Sequence, residues 1–117
     1  MTMAITIYHN ARCGTSRNTL AAIREAGHEP QIVDYLVNPP TRDTLTHMID
    51  DAGITVREAV RSKEAVFSEL GLDQPGISDD ALLDAMAAHP ILIERPFVVT
   101  SNGVRLCRPL TRVHEIL

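Results

Sequence analysis

Cys13 sits in a polar stretch, His9-Asn10-Ala11-Arg12-Cys13-Gly14, with Thr15, Ser16 and Arg17 following. The residues before it, Ala4 to Tyr8, read as a strand with Ile5 and Ile7 on one face. The residues after it read as a helix with Leu20 and Ile23 turned inward, started by Thr15 or Ser16 and stopped at Gly27. A cysteine at a strand-to-helix turn lies where unpaired N–H groups and the helix dipole converge, which favours a thiolate or a bound oxyanion. His9, Arg12 and Arg17 can add positive charge. The chemistry expected is nucleophilic attack by a thiolate. The plain alternative, a buried structural cysteine, is disfavoured by the polar neighbours.

The spacing excludes some thiol chemistry. A dithiol redox pair needs a second cysteine three positions on, where this chain has Ser16. A phosphatase-type loop needs an arginine six positions on, where it has Thr19. Cys13-Gly14-Thr15-Ser16 does fit the C-x-x-S of monothiol glutaredoxins, but their Thr-Val-Pro motif is replaced by Ile93-Glu94-Arg95-Pro96. A zinc site from His9, Cys13 and Cys107 would have irregular spacing and lack a fourth ligand, so no metal is expected. Cys107, beside Leu106 on an apparent strand, is expected to pack rather than to resolve a disulfide. Arg61, Arg95 and Arg108 are separated by 34 and 13 positions. If they converged, their planar donors could cradle a tetrahedral oxyanion.

The elements that must position these groups are legible in outline. Gln31 to Val37 reads as a second strand, ended by Asn38-Pro39-Pro40. From about 41 to 89 the pattern is helical. Leu45, Met48, Ile49 and Ala52 recur before Gly53, and Thr55-Val56-Arg57-Glu58 is a capping box. A helix from Lys63 to Leu70 ends at Gly71, and Ser78-Asp79-Asp80 opens one carrying Leu82, Leu83 and Met86, closed by His89-Pro90. Phe97–Thr100 and Val104–Cys107 are strands joined through Ser101-Asn102-Gly103, and Pro109 is expected to begin a last helix with Leu110, Val113, Ile116 and Leu117 on one face. The order β-α-β, helical insert, β-β-α predicts one α/β domain over residues 1–117. Its sheet is mixed and thioredoxin-like, with strands one and two parallel and the last two antiparallel.

Composition narrows the class. With 117 residues, 44% hydrophobic and 22% charged, the chain suits one globular domain. Net charge is −4 and Trp is absent, so neither the basic surface nor the stacking platform of a nucleic-acid binder is present. No apolar run approaches the roughly 20 residues that cross a bilayer, so no membrane association is expected. Two cysteines make no disulfide framework, and Met1-Thr2-Met3-Ala4-Ile5 lacks the features of a secretory signal. A cytoplasmic location is therefore expected.

The stretch from His9 to Leu20 resembles the active-site loop of the glutaredoxin-linked arsenate reductases. Asn38-Pro39-Pro40, the segment from His89 to Pro96, and Leu106-Cys107-Arg108-Pro109 are similar to that family too, so the resemblance runs from about Ile5 to Leu117. It implies a thioredoxin-like fold with a helical insertion, Cys13 as nucleophile, Arg61, Arg95 and Arg108 as oxyanion ligands, and His9 lowering the thiol's pKa. It implies arsenate as substrate, glutathione as co-substrate, glutaredoxin as partner and no bound cofactor. It also implies a proline packed in the cis form after Arg95. The chain departs from the pattern at Ala11, where the family usually has proline. The family also contains thiol-based redox and regulatory proteins without arsenate activity, which is the alternative function; those typically carry a C-x-x-C switch that this chain lacks.

Overall fold

A computed structural model describes residues 3–117; residues 1 and 2, where the N-terminal segment without signal features begins, lie outside it. The elements run β1 (Thr6–His9), α1 (Gly14–Glu25), β2 (Gln31–Asp34), α2 (Arg42–Asp51), α3 (Val56–Ala59), α4 (Ala65–Glu69), α5 (Asp79–Ala88), a 3₁₀ turn (Pro90–Leu92), β3 (Phe97–Thr100), β4 (Gly103–Leu106) and a 3₁₀ helix (Leu110–Glu115). The chain divides into two compact units, Met1–Asn38 with Arg95–Leu117, and Pro39–Glu94.

The first unit holds the sheet, in the order β2-β1-β3-β4. β1 and β2 are parallel, with Thr6 opposite Gln31 and His9 opposite Asp34. β3 runs antiparallel to both β1 and β4, as the expected thioredoxin-like mixed sheet requires. Ile5, Ile7, Ile23, Val98, Cys107, Val113 and Ile116 form its buried core, so β1, α1, β3 and the C-terminal 3₁₀ helix converge on one apolar cluster. Burial of each such side chain contributes roughly 1.5–3 kcal/mol.

In the second unit α5 packs against α2, α3 and the 3₁₀ turn. Its helix starts follow the sequence. Thr55 and Glu58 form the reciprocal capping box, and Ser78 accepts the Ala81 N–H with Asp79 and Asp80 in the first turn. Arg42 ties α2 to α5 through Asp80 and Asp84 at 2.9 and 2.8 Å. Val60 and Ile93 form an isolated bridge, so the unit's ordered structure extends past His89. Among the described residues no helix is long and apolar enough to cross a membrane.

Several boundaries differ from expectation for local reasons. β2 stops at Asp34 because its carbonyl accepts the Val37 and Asn38 N–H groups at 3.1 and 2.8 Å, and its carboxylate accepts that of Leu36 at 3.1 Å. That is an Asx-type turn, and it leaves Val37 outside the strand. The last helix is 3₁₀, and Pro109 is its extended cap (φ −69°, ψ 160°) rather than its first residue. The spacing of Leu110, Val113 and Ile116 is three, which eclipses side chains on a 3₁₀ face. Neither Ser101 nor Asn102 has positive φ in the β3–β4 hairpin; Gly103 alone does, at +141°.

Candidate active site

The start of α1 is built differently from expectation. Its cap is Cys13 itself, in extended conformation (φ −91°, ψ 122°), and the helix begins at Gly14. Neither Thr15 nor Ser16 can be the cap, because both lie inside the first turn. The Ser16 hydroxyl is instead turned back onto the loop, where it accepts the Asn10 N–H at 3.0 Å and lies 2.7 Å from His9 Nδ1. The loop is closed by the Asn10 carbonyl, which accepts the Cys13 N–H at 3.0 Å. Asn10 Oδ1 accepts the Arg12 N–H at 3.0 Å, and its Nδ2 donates to the Tyr35 hydroxyl at 3.4 Å.

This frame holds the Cys13 sulfur, half-buried, over the first turn of the helix. Burial disfavours the thiolate most strongly. It is outweighed by hydrogen bonds from the Ser16 N–H, the Arg108 guanidinium and the Thr15 N–H, together with the Arg95 charge, so the thiol's pKa lies below its ordinary value. Arg108 Nη1 is 3.9 Å from Sγ and also donates to the Arg95 carbonyl at 3.0 Å, which fixes it beside the thiol. Arg95 is buried at 6% exposure. The Arg95-Pro96 bond is cis, as the resemblance implied, and so is Arg108-Pro109.

Arg108, by its hydrogen bond, and Arg95, by its charge, are thus cations that favour the thiolate. Arg12 is exposed, and Arg17 is spent on the Ala11 carbonyl at 2.9 Å. Burial lowers the pKa of His9 most, with Arg24 and Arg17 adding to this and Asp34 opposing it. This shift favours the neutral ring, whose Nδ1 faces the Ser16 hydroxyl.

Arg61 belongs to the Pro39–Glu94 unit and follows the short α3. Its N–H donates to the Leu92 carbonyl at 2.7 Å. Its side chain is paired with Glu64 at 3.2 Å and Glu94 at 3.0 Å. Burial alone would lower its pKa, but the Glu94 and Glu64 carboxylates raise it. Cys107 is fully buried in the sheet core, and its N–H donates to the Pro96 carbonyl at 2.9 Å. Burial pushes its thiol up to about 12. Among the described residues no group of three or more His, Cys, Asp or Glu could hold a metal ion.

Sequence reasoning missed Asn10, Ser16 and Tyr35. From sequence Ser16 reads as a helix cap or as the serine of C-x-x-S, not as a partner of the loop; a hydroxyl three positions after a candidate nucleophile is the signal that could have marked that role.

The ArsC family model matches residues 8–116. The chain is 62% identical over 115 residues to an arsenate reductase of Rhizobium meliloti (strain 1021), covering 98% of this chain and 82% of that protein. It is 57% identical over 113 residues to an arsenate reductase of Escherichia coli (strain K12), covering 97% of this chain and 80% of that one. A solved arsenate reductase from Vibrio cholerae superposes with a TM-score of 0.94 at 43% identity, covering all of both chains. A match over nearly the whole length, with the cysteine loop and both cis-proline segments inside it, places this chain in the ArsC family.

Proposed function

We propose that this protein reduces arsenate to arsenite through the Cys13 thiolate, with glutathione and glutaredoxin supplying the electrons. The observation that carries the reading is the Cys13 sulfur at the start of α1, hydrogen-bonded by the Ser16 and Thr15 N–H groups with Arg108 Nη1 at 3.9 Å. A thiolate held among N–H donors and guanidinium groups is a nucleophile placed where an oxyanion can also bind. Relatives named arsenate reductase at 62% and 57% identity support the choice of oxyanion.

In the first step the thiolate attacks arsenic, an arsenate oxygen is protonated and leaves as water, and a sulfur–arsenic bond forms. Arg108 and Arg95 bind the oxyanion and offset its negative charge as the bond forms. Arg61 is the third oxyanion ligand in this reading, on the resemblance. Glutathione then supplies a second sulfur. The sulfur–arsenic bond breaks with its electron pair left on arsenic, As(V) becomes As(III), and the two sulfurs are oxidised to a mixed disulfide on Cys13. A glutaredoxin thiol takes the glutathione and returns Cys13 to the thiol. An external thiol is needed because Ser16 stands at the C-x-x-C position and Cys107 is sealed in the core. Glutathione is a co-substrate, no bound cofactor takes part, and the reducing cytoplasm is the matching compartment.

The test is arsenate-dependent NADPH consumption with glutathione, glutaredoxin and glutathione reductase present. Turnover that needs all three and is lost on omitting glutathione supports the reading; no arsenate-dependent turnover by the wild-type chain overturns it.

A further inference from the structure

Asn10 is an unusual loop residue. It is polar yet only 5% exposed, and all four of its hydrogen-bonding groups are engaged. Its N–H donates to Ser16 Oγ at 3.0 Å and its carbonyl accepts from the Cys13 N–H at 3.0 Å, which closes the backbone over the helix start. Its side chain reaches the other way. Oδ1 accepts from the Arg12 N–H at 3.0 Å, forming an Asx turn directly before Cys13. A backbone N–H can only donate, so this contact fixes the amide's orientation and turns Nδ2 toward the Tyr35 hydroxyl, 3.4 Å away. Tyr35 is itself 1% exposed, in the turn that follows β2. The Asn10 amide therefore fastens the cysteine loop to a second, buried element.

We propose that Asn10, braced by Tyr35, is the positioning residue that holds Cys13 at the cap of α1. The proposal deepens the reading of Cys13 as the nucleophile and rests on it. The sulfur's N–H donors, Ser16 and Thr15, belong to the helix, whereas the path of the chain into Cys13 is set by the Asn10 turn. Hydrogen bonds weaken steeply with misalignment, so a loop that relaxes moves the sulfur off its donors without removing any of them. The charged groups acting on that sulfur, Arg108 and Arg95, come from other segments, and Arg108 is tied to the Arg95 carbonyl rather than to the loop.

The experiment follows the rate of Cys13 alkylation by iodoacetamide against pH, with no arsenate present, in Asn10→Ala, Tyr35→Phe and the double variant. Because it reads the thiol directly, it stands apart from the coupled assay; a wild-type chain that fails to turn over arsenate would still give a titration here. Asn10→Ala is expected to raise the inflection by about one pH unit, a tenfold loss of thiolate at pH values well below the inflection. Tyr35→Phe, which keeps the buried ring, should move it the same way by less. The double variant should move it no further than Asn10→Ala alone, since both changes act through one bond. In the coupled assay kcat should fall with the thiolate fraction while KM for arsenate changes less. Unchanged inflections in Asn10→Ala and Tyr35→Phe overturn the proposal. If Asn10→Ala does not fold, Tyr35→Phe decides alone: a raised inflection supports the tether and an unchanged one overturns it.

Discussion

Cys13 and Cys107 carry the same side chain in the same unit and have opposite chemistry. Cys13 leaves β1 for a loop and caps α1, where N–H groups and Arg108 face its sulfur. Cys107 leaves β4 for the core, where Ile5, Ile7, Ile23, Val98, Val113 and Ile116 surround it. Both sulfurs lose water on folding, and burial is the largest influence on each. At Cys13 polar groups more than replace the lost hydration of the thiolate. At Cys107 the nearby Arg105 and Arg112 charges are too weak to do so, and the thiol stays protonated. Burial alone therefore does not decide whether a cysteine reacts; what matters is whether fixed donors take the place of water.

The sharpest way to break this contrast is to exchange the roles. Cys13→Ser should reduce arsenate turnover to background with the fold intact, because a hydroxyl is a far weaker nucleophile at neutral pH. Cys107→Ser should keep most of kcat but lose about 1–3 kcal/mol of stability, the cost of burying a poorly satisfied hydroxyl. Coupled assays and denaturant titrations on both variants would show it. Loss of turnover in a folded Cys107→Ser would reopen an internal disulfide route.

The guanidinium groups come next in size. Arg108→Ala removes a charged hydrogen bond from both the thiolate and the incoming oxyanion. At roughly 1.5–3 kcal/mol, the expected loss in kcat/KM is about tenfold to over a hundredfold. It should also raise the alkylation inflection of Cys13. Arg108→Lys and Arg95→Lys should be damaging as well, since an ammonium keeps the charge but loses the planar fork. Normal kinetics in all three would leave the thiolate without its cations.

The buried thiol makes a pH prediction of opposite sign. Cys107 keeps its proton in the fold up to about 12, whereas an unfolded cysteine loses it near about 8.5. Above that pH the unfolded state binds fewer protons, so stability falls as pH rises, by up to about 1.4 kcal/mol per unit from this group. Urea titrations between pH 8 and 10.5 should show the decline, and Cys107→Ala should flatten it. Cys13 contributes in the other direction, gaining stability as pH rises through its lowered pKa.

The smallest effect is expected at His9. Its contact with Ser16 supports the loop without adding charge, so His9→Ala should raise the Cys13 inflection by less than Arg108→Ala does. An equal or larger rise would show that the ring acts on the sulfur as a cation.

Much of this was readable from residue order. Hydrophobic runs and their bounding turns indicated the β-α-β and β-β-α halves, and the capping box at Thr55–Glu58 and the Ser78 start are local signals that the structure repeats. The core place of Cys107 followed from its apolar neighbour. The loop before Cys13 was opaque because its geometry comes from side chains folding back on the backbone. A polar residue such as Asn10 reads as solvent-facing until Tyr35, 25 positions away, is brought against it. The pairing of Arg61 with Glu94 across 33 positions, and the approach of Arg108 to Cys13 across 95, are likewise tertiary. In each case charge alone gave no hint of the partner.

The most direct test of the contrast between the two thiols is their alkylation, counted separately by mass spectrometry on the native wild-type protein from pH 5 to 9. The account predicts that Cys13 reacts with an inflection below the free-thiol value of about 8.5 while Cys107 stays unmodified until denaturant is added. Modification of native Cys107 at a comparable rate, or a Cys13 inflection at or above the free value, would contradict it.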